Sequence, residues 1–346
     1  MKKQPQQKMQ STTICFVAGK SGGHIIPCLT RAEQHKQQYP DDTIIFFSTT
    51  NVLDQSLLKN HPAIDHWIQL KIGRYSYQGM RGYFLLVYDF LSSCWQTFFI
   101  IKKMRPRRMI SSGGVILLVP AFIAWLFSIP LELHELNVVP GKAITFFAPF
   151  AHKIVICFKQ TAAYFHQLPC FYEPYPVRYA MQKVVIKKQQ SKKSSKKTVL
   201  LLGGSQGSLF LNNLAKQWII SLPEENRKEM VLVHQIGHQD SFDYATFYAQ
   251  HTMQATVFSY HDNLADWYQH ADLVICRAGA GTLFELIYFD TAALLIPLET
   301  AYTNHQYENA HACTQEHPHL FTMIKQTSIE KDAATFFVQL NRMIFL

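Results

Sequence analysis

Short apolar runs recur along the chain, each closed by a glycine or another turn residue and each followed by a stretch of helix length. TTICFVAG (12–19), TIIFFS (43–48), PLELHE (130–135) and KIVICF (153–158) predict buried strands in the first half. VLLLGG (199–204), MVLVHQ (230–235), ATVFSY (255–260), DLVIC (272–276) and LLIP (294–297) predict them in the second. Between them the periodicity predicts helices from about Pro27 to Gln38, from Pro120, over 305–315, and as one terminal helix from Ser328. Strands alternating with helices are the mark of parallel sheets with crossover connections.

The pattern breaks once. VVIKKQQSKKSSKKT (184–198) carries lysine and serine with nothing to bury beyond its first residues, and reads as a solvated linker. Directly after it the theme of strand, glycine turn and helix starts again. The expected organisation is therefore a domain over 1–180, a lysine-rich linker over 181–198 and a second α/β domain over 199–346. At 346 residues, 48% apolar and 13% aromatic, the chain can fill two cores.

Two apolar stretches, Tyr83 to Ile101 and Val115 to Leu133, have the length of membrane spans. Asp89 and several polar residues interrupt the first, and Pro120 and Pro130 cut the second, so both are expected inside the fold. Leu85, Leu86 and Phe90 are read as core positions. Basic residues flank the first stretch at Arg74, Arg81, Lys102 and Lys103. Tyr75, Tyr77, Met80 and Tyr83 are expected to touch lipid at an anionic bilayer surface.

Lys and Arg exceed Asp and Glu by 33 to 24, an excess that favours phosphate, nucleic acid or acidic lipid without choosing among them. The seven scattered cysteines contain no C-x-x-C pair and fit reduced thiols. The first residues, MKKQPQQKMQSTT, read as a frayed leader; the apolar run behind them is too short for the core of a signal peptide.

The letters GKS at 19–21 suggest a nucleotide-phosphate loop, but the glycine that loop needs five residues earlier is Ile14. The dinucleotide fingerprint also fails, because Ser21 and His24 stand where glycines are required. Glycine turns nevertheless follow predicted strands at Gly19–Gly23, Gly203–Gly207 and Gly279, with a further pair at Gly113 and Gly114. Backbone N–H groups gathered at such turns suit a phosphate-bearing ligand.

Gly19-Lys20-Ser21-Gly22-Gly23-His24 followed by Pro27, then His134-Glu135-Leu136-Asn137, Gly203-Gly204-Ser205-Gln206-Gly207, Cys276-Arg277-Ala278-Gly279-Ala280, Glu285, His305-Gln306 and Asn309-Ala310 resemble the MurG family in order and approximate spacing. That family comprises the N-acetylglucosaminyltransferases of bacterial peptidoglycan synthesis. The resemblance implies an α/β GT-B fold, two Rossmann-like domains facing each other across a cleft. It implies transfer of N-acetylglucosamine from UDP-N-acetylglucosamine to the lipid-linked acceptor, lipid I, giving lipid II with inversion. It further implies a peripheral enzyme at the cytoplasmic face of the bacterial inner membrane, working without metal or other cofactor and without nucleic acid. Two other readings remain open: a related transferase for another lipid acceptor, and a binding protein without turnover.

The resemblance assigns the donor to Arg178, Ser205, Gln206, Phe258, Glu285, Gln306 and Asn309. Glu285 would accept two hydrogen bonds from the ribose diol. Ser205 would hold the phosphates or cap the helix behind it, and Gln306 and Asn309, three apart on one helix face, would meet the sugar. Ser21, Gly22, Gly23, Gly113, Gly114 and Asn137 fall to the acceptor. His24 is either the general base or a helix cap bonded to phosphate, and Glu135 orients either His24 or the acceptor. Four stretches depart from the family pattern. Lys20 and Ser21 replace Gly-Thr, VILLVP follows Gly114 in place of a more polar run, and Leu136 replaces glutamine. Pro174-Tyr175-Pro176-Val177-Arg178 keeps the arginine of a G-N-P-V-R junction but loses its glycine and asparagine.

Overall fold

In the first half, β-branched and aromatic residues alternate between the two faces of each strand, and both faces are apolar. The computed structural model, which describes residues 11–72, 79–181, 196–204, 206–299 and 304–345, shows why. In β1 (Thr13–Val17) Ile14 and Phe16 point into one core with Ile44, Phe46 and Ile25, while Cys15 and Val17 point into another with Ile45, Phe47, Met109 and Leu133. A parallel sheet sandwiched between helices needs strands apolar on both sides.

Seven such strands make one sheet: β1, β2 (Thr43–Thr49), β3 (His66–Leu70), β4 (Arg108–Ser111), β5 (Leu131–Glu135), β6 (Lys153–Ile156) and β7 (Cys170–Tyr172). They run parallel in the order β3-β2-β1-β4-β5-β6-β7. The helices between them are α1 (Gly22–Gln38), α2 (Val52–Leu58), α3 (Gly79–Met104), α4 (Leu118–Leu126) and α5 (Lys142–Phe147).

A second sheet is built from β8 (Lys197–Leu202), β9 (Met230–Gln235), β10 (Gln254–Phe258), β11 (Leu273–Cys276), β12 (Ala293–Leu295) and β13 (Phe321–Met323), all parallel in the order β10-β9-β8-β11-β12-β13. Its helices are α6 (Arg178–Met181), α7 (Leu209–Ser221), α8 (Glu224–Lys228), α9 (Tyr244–Gln250), α10 (Ala265–His270), α11 (Ala280–Phe289), α12 (His305–Glu316), α13 (Gln326–Lys331) and α14 (Ala333–Phe345). The chain divides into two compact units, Met1–Arg178 and Tyr179–Leu346. Tyr179 belongs to the second by its packing, against Tyr268 and Phe289, and by the hydrogen bond its hydroxyl accepts from Leu264 N (2.9 Å).

In both sheets the strand order reverses beside the first strand, between β1 and β4 and between β8 and β11. That switch point is where open α/β sheets bind ligands, beyond the carboxyl ends of the strands. The turns at Gly19–Gly23 and Gly113–Gly114 follow β1 and β4, and those at Gly203–Gly207 and Gly279 follow β8 and β11. Each unit thus presents its two glycine turns at its own switch point.

Several boundaries differ from the sequence reading. Helix α1 starts at Gly22 rather than Pro27, with the proline inside it; the hydrogen bond lost is the one to the carbonyl of exposed Gly23. A single 3-10 turn at Val115–Leu117 brings α4 to its start at Leu118, ahead of Pro120. The terminal segment is two helices, because Asp332 breaks the first and its carboxylate accepts from Thr335 N at the start of the second. Lys197 and Thr198, assigned to the linker, begin β8. The leader at 1–10 and the lysine-rich run at 182–195 lie outside the described residues.

The largest difference is α3. Its buried side is Gly82, Asp89, Ser93, Thr97 and Ile101, largely small and polar residues at helical spacing. Its outer side carries Tyr83, Phe84, Leu85, Leu86, Val87, Tyr88, Phe90, Leu91, Trp95 and Phe99, with Leu85 at 54%, Leu86 at 44%, Phe90 at 47% and Trp95 at 70% exposure. The expectation that Leu85, Leu86 and Phe90 lie in the core is therefore overturned. By length and composition Gly82–Met104 could cross a membrane, yet its inner stripe packs on the first unit and Phe98 meets Phe127. Arg74, Tyr75 and Tyr77 lie outside the described residues, as do the side chains of Met80 and Arg81.

His234 in β9 is fully buried between Tyr248 and Asn212. Asn212 donates its amide to Ile236 O and Asp240, so its oxygen accepts from His234 Nε2, and Nδ1 accepts from the Tyr248 hydroxyl. Burial pushes this imidazole from 6.5 down to about 3. Folded His234 stays neutral while the unfolded chain protonates, so its contribution is complete above pH 6.5 and is lost as pH falls towards 3. Urea unfolding of the second unit should weaken by up to about 1.4 kcal/mol per pH unit in that window, and His234→Gln should flatten the slope.

Candidate active site

In the first unit the chain leaves β1 through Gly19 and Lys20. A Cβ on Gly19 would come within 2.9 Å of Thr49 Cγ2 and 3.0 Å of Asp54 Oδ2, so only glycine fits. Lys20 takes a φ of +78°, a conformation that glycine adopts more readily than a lysine. Fully buried Asp54 holds this turn, accepting from Lys20 N, Thr49 N and Thr49 Oγ1. Burial raises the Asp54 carboxyl, against these hydrogen bonds.

Ser21 then starts α1 in extended conformation without a side-chain capping bond, and buried Gly22 and exposed Gly23 form its first turn. His24 follows in the same first turn. Its Nδ1 lies 2.8 Å from Ser112 O, and Ser112 Oγ donates back to His24 O at 2.7 Å. A carbonyl only accepts, so Nδ1 carries the proton, and in the neutral ring Nε2 is the basic nitrogen. The ring lies beside Gly113 and Gly114, whose φ values of +92° and +87° let the backbone pass close to it. A Cβ on Gly113 would come within 3.0 Å of Ile144 and 3.9 Å of His24.

His24 and Gly114 line a pocket of about 380 Å³ with Val115, Leu118, Gly141, Lys142, Ala143, Ile144 and Phe146. Glu135 shapes one wall without lining the pocket. Its Oε1 accepts from Leu136 N, Asn137 N and Asn137 Nδ2, and its Oε2 from Gly141 N. Burial raises this carboxyl and the four N–H bonds oppose the rise. The expected catalytic Glu135 is thus a clamp on the 136–141 loop, and the hydrogen bonds it makes do not run to His24. The same bonds engage Asn137, whose carbonyl accepts from Thr161 Oγ1.

In the second unit the turn after β8 is a close pass of two backbones. Gly207 (φ +83°) and Gly237 (φ +80°) leave no room for a Cβ, the nearest atoms being at 2.4 Å in each case. Gln206 is exposed in this turn, and Ser205 lies outside the described residues. The cap of α7 is Ser208, whose Oγ accepts from Leu211 N and from Arg277.

Arg277, in the quoted motif but without an expected role, is a buried hub. It donates to Ser208 Oγ, to Ile296 O (3.0 Å) and Pro297 O (3.4 Å) at the exit of β12, and to Gln326 Oε1 (2.8 Å). Burial pushes its guanidinium down to about 10.

Asn309, fully buried, donates to Ala278 O in the turn after β11, and Gln306 Oε1 accepts from Leu298 N. Glu285 sits in the second turn of α11, where Tyr268 donates to its Oε2 at 3.0 Å. Phe258 ends β10 and stacks on Trp267 with ring centres 4.6 Å apart. Arg178 is half-buried at the last residue of the first unit. The structure thus gathers His24, Gly113, Gly114 and the Glu135 loop in one unit; in the other, Gln206 lies in the turn after β8, Asn309 bonds the turn after β11 and Glu285 lies in α11. The signals that sequence reasoning passed over were Ser112 beside the glycine pair and Asp54 in the first turn of α2.

Two family models match: the glycosyltransferase family 28 N-terminal domain over residues 14–156 and the family 28 C-terminal domain over 198–332. Among curated proteins, the UDP-N-acetylglucosamine–N-acetylmuramyl-(pentapeptide) pyrophosphoryl-undecaprenol N-acetylglucosamine transferase of Nitrosomonas europaea is 30% identical over 85% of this chain and 81% of its own. The protein of that name from Cupriavidus pinatubonensis is 29% identical over 96% and 90%. Among solved structures, Acinetobacter baumannii MurG superposes with a TM-score of 0.70 at 22% identity, covering 95% of this chain and 90% of its own. A UDP-glucose:anthocyanidin 3-O-glucosyltransferase solved with UDP gives 0.64 at 10% identity, covering 97% and 90%.

Replacing Glu135 with glutamine turns one acceptor into a donor facing Gly141 N–H. The variant should lose about 1–3 kcal/mol of stability in the first unit, read by thermal unfolding, and should weaken binding in the pocket that Gly141–Phe146 line. Two switch points, each flanked by its pair of glycine turns, together with these matches over nearly the whole chain, place the protein in the MurG family of glycosyltransferase family 28.

Proposed function

We propose that the protein transfers N-acetylglucosamine from UDP-N-acetylglucosamine to the C4 hydroxyl of N-acetylmuramic acid in lipid I, giving lipid II with inversion at the anomeric carbon. The observation that carries the mechanism is the Ser112 carbonyl bonded to His24 Nδ1. It fixes the tautomer and leaves Nε2 as the general base. Nε2 takes the proton of the acceptor hydroxyl as its oxygen attacks the anomeric carbon, and the bond from that carbon to the UDP oxygen breaks. UDP leaves with the negative charge, which the N–H groups of the Gly203–Gly207 turn and the start of α7 stabilise. Glu285 holds the ribose diol, and the turn contacts of Gln306 and Asn309 keep the donor loops in place.

The exposed apolar side of α3, with Lys102 and Lys103 at its end, enters the interface of an anionic membrane. Water-exposed apolar patches of this extent mark interaction surfaces. Small and polar residues packed inside with aromatic residues outside is also the arrangement helices take against lipid.

Purified protein given UDP-N-acetylglucosamine and a lipid I analogue should form a labelled disaccharide. His24→Ala should lower kcat by about 10²–10⁴ with donor KM retained. Glu285→Ala should instead raise donor KM, with about 2–4 kcal/mol lost in kcat/KM. No product from the wild-type enzyme with lipid I would refute the assignment. Adding anionic vesicles should shift Trp95 fluorescence to the blue, and Phe84→Asp with Leu91→Asp should cut vesicle binding by roughly tenfold or more.

A further inference from the structure

Helices α10 and α11 meet at Tyr268. Glu285 and Phe289 stand one turn apart on the same face of α11, and the tyrosine reaches both. Its ring stacks on Phe289 with centres 5.6 Å apart, and its hydroxyl donates to Glu285 Oε2 at 3.0 Å. In the sequence the residue reads as one more aromatic of the DWYQH stretch, a core position by its pattern.

The core holds Tyr268 from several sides. It is fully buried, and the Tyr179 ring meets it edge-on at 6.3 Å. The Tyr179 hydroxyl accepts from Leu264 N at the head of α10, and the Tyr268 carbonyl accepts from Thr291 Oγ1 at 2.8 Å, so backbone and ring are both fixed. Burial, and after it the neighbouring carboxylate, push the phenol well above its usual range, which keeps it protonated and donating. Phenylalanine would fill the same space, so packing alone does not call for the hydroxyl. A glutamate, by contrast, has rotamer freedom to lose when it takes a ligand. A donor fixed by the core removes that freedom beforehand. Each carboxylate oxygen has two lone pairs, so Oε2 can accept from Tyr268 and still accept from a ligand hydroxyl.

We infer that Tyr268 is a positioning residue for the donor: it holds the Glu285 carboxylate turned to receive both hydroxyls of a ribose, and so makes the second unit select ribonucleoside over 2′-deoxyribonucleoside diphosphates. The inference rests on the ribose role proposed above for Glu285 and adds the group that prepares it. Without the tyrosine hydroxyl the carboxylate would have to be ordered by the nucleotide itself. That cost falls hardest on a ligand that engages the carboxylate with two hydroxyls. A 2′-deoxy nucleotide offers one hydroxyl in place of two and gains less from a carboxylate set in advance.

The test measures binding of UDP and 2′-deoxy-UDP to the full chain by calorimetry, in the wild type, Tyr268→Phe, Glu285→Ala and the double variant. The wild-type protein should favour UDP by about tenfold or more, the worth of one hydrogen bond to a charged group. Glu285→Ala should abolish that preference. Tyr268→Phe should reduce it by about three- to tenfold through weaker UDP binding, with 2′-deoxy-UDP bound within about twofold of the wild type. In the Glu285→Ala background the tyrosine substitution should change nothing further, because the group it positions is gone. In the transfer assay Tyr268→Phe should act on donor KM rather than on kcat. A wild type without preference, or a preference that survives in Glu285→Ala, would refute the ribose role and the inference with it. A preference lost in Glu285→Ala yet intact in Tyr268→Phe would overturn the inference alone. Equal weakening of both nucleotides, or a Tyr268→Phe chain that does not fold, would also overturn it, since the hydroxyl would then serve the core only.

Discussion

Two hydrogen bonds exchanged between His24 and Ser112 hold the first unit's site in its form. One fixes the imidazole, the other fixes the backbone of α1, and together they tie the turn after β1 to the turn after β4. Glycine at 113 suits this meeting, because its φ is +92° and a side chain there would come within 3.0 Å of Ile144. The tautomer of His24, the path of the backbone at Gly114 and the shape of the pocket follow from this single clasp.

The second unit solves the same problem with a buried charge. Arg277 reaches three segments that the chain separates widely, at Ser208, Ile296 and Gln326, and satisfies itself on hydroxyl, carbonyl and amide oxygens. An unpaired guanidinium in that place would be costly; one that donates to four oxygens holds loops together. Asn309 does the same for the turn at Ala278 with a neutral group. Rigid turns at a switch point are what a phosphate-bearing donor requires, since backbone N–H groups must already be in position when charge develops.

Helix α3 follows the opposite logic from the other helices. Elsewhere apolar faces turn inward, but α3 puts Ser93 and Thr97 inside and its aromatic residues outside. An exposed apolar face of this extent marks an interaction surface, and it is the face proposed above to meet a membrane.

Much of this was legible in the amino-acid pattern. The central strands β8, β9 and β11 are buried on both faces and read as unbroken apolar runs, and glycine turns behind them mark ligand edges. Edge strands β3, β7 and β13 were not legible, because they are short and half exposed and their pairing comes from a neighbour. Helix α1 hid its first turn behind Pro27. The motif around Glu135 announces a carboxylate near a site, yet only the folded loop, with four N–H groups aimed at it, decides that the carboxylate is a clamp. In α3 the polar residues Asp89, Ser93 and Thr97 recur at helical spacing, so periodicity alone would turn that stripe to water, whereas the fold buries it. By itself, then, the sequence determined two parallel α/β units, their glycine turns and the residue types at each. Tertiary structure decided which turns meet, which polar groups remain for a ligand and which apolar face is left uncovered, because those depend on contacts between segments far apart in the chain.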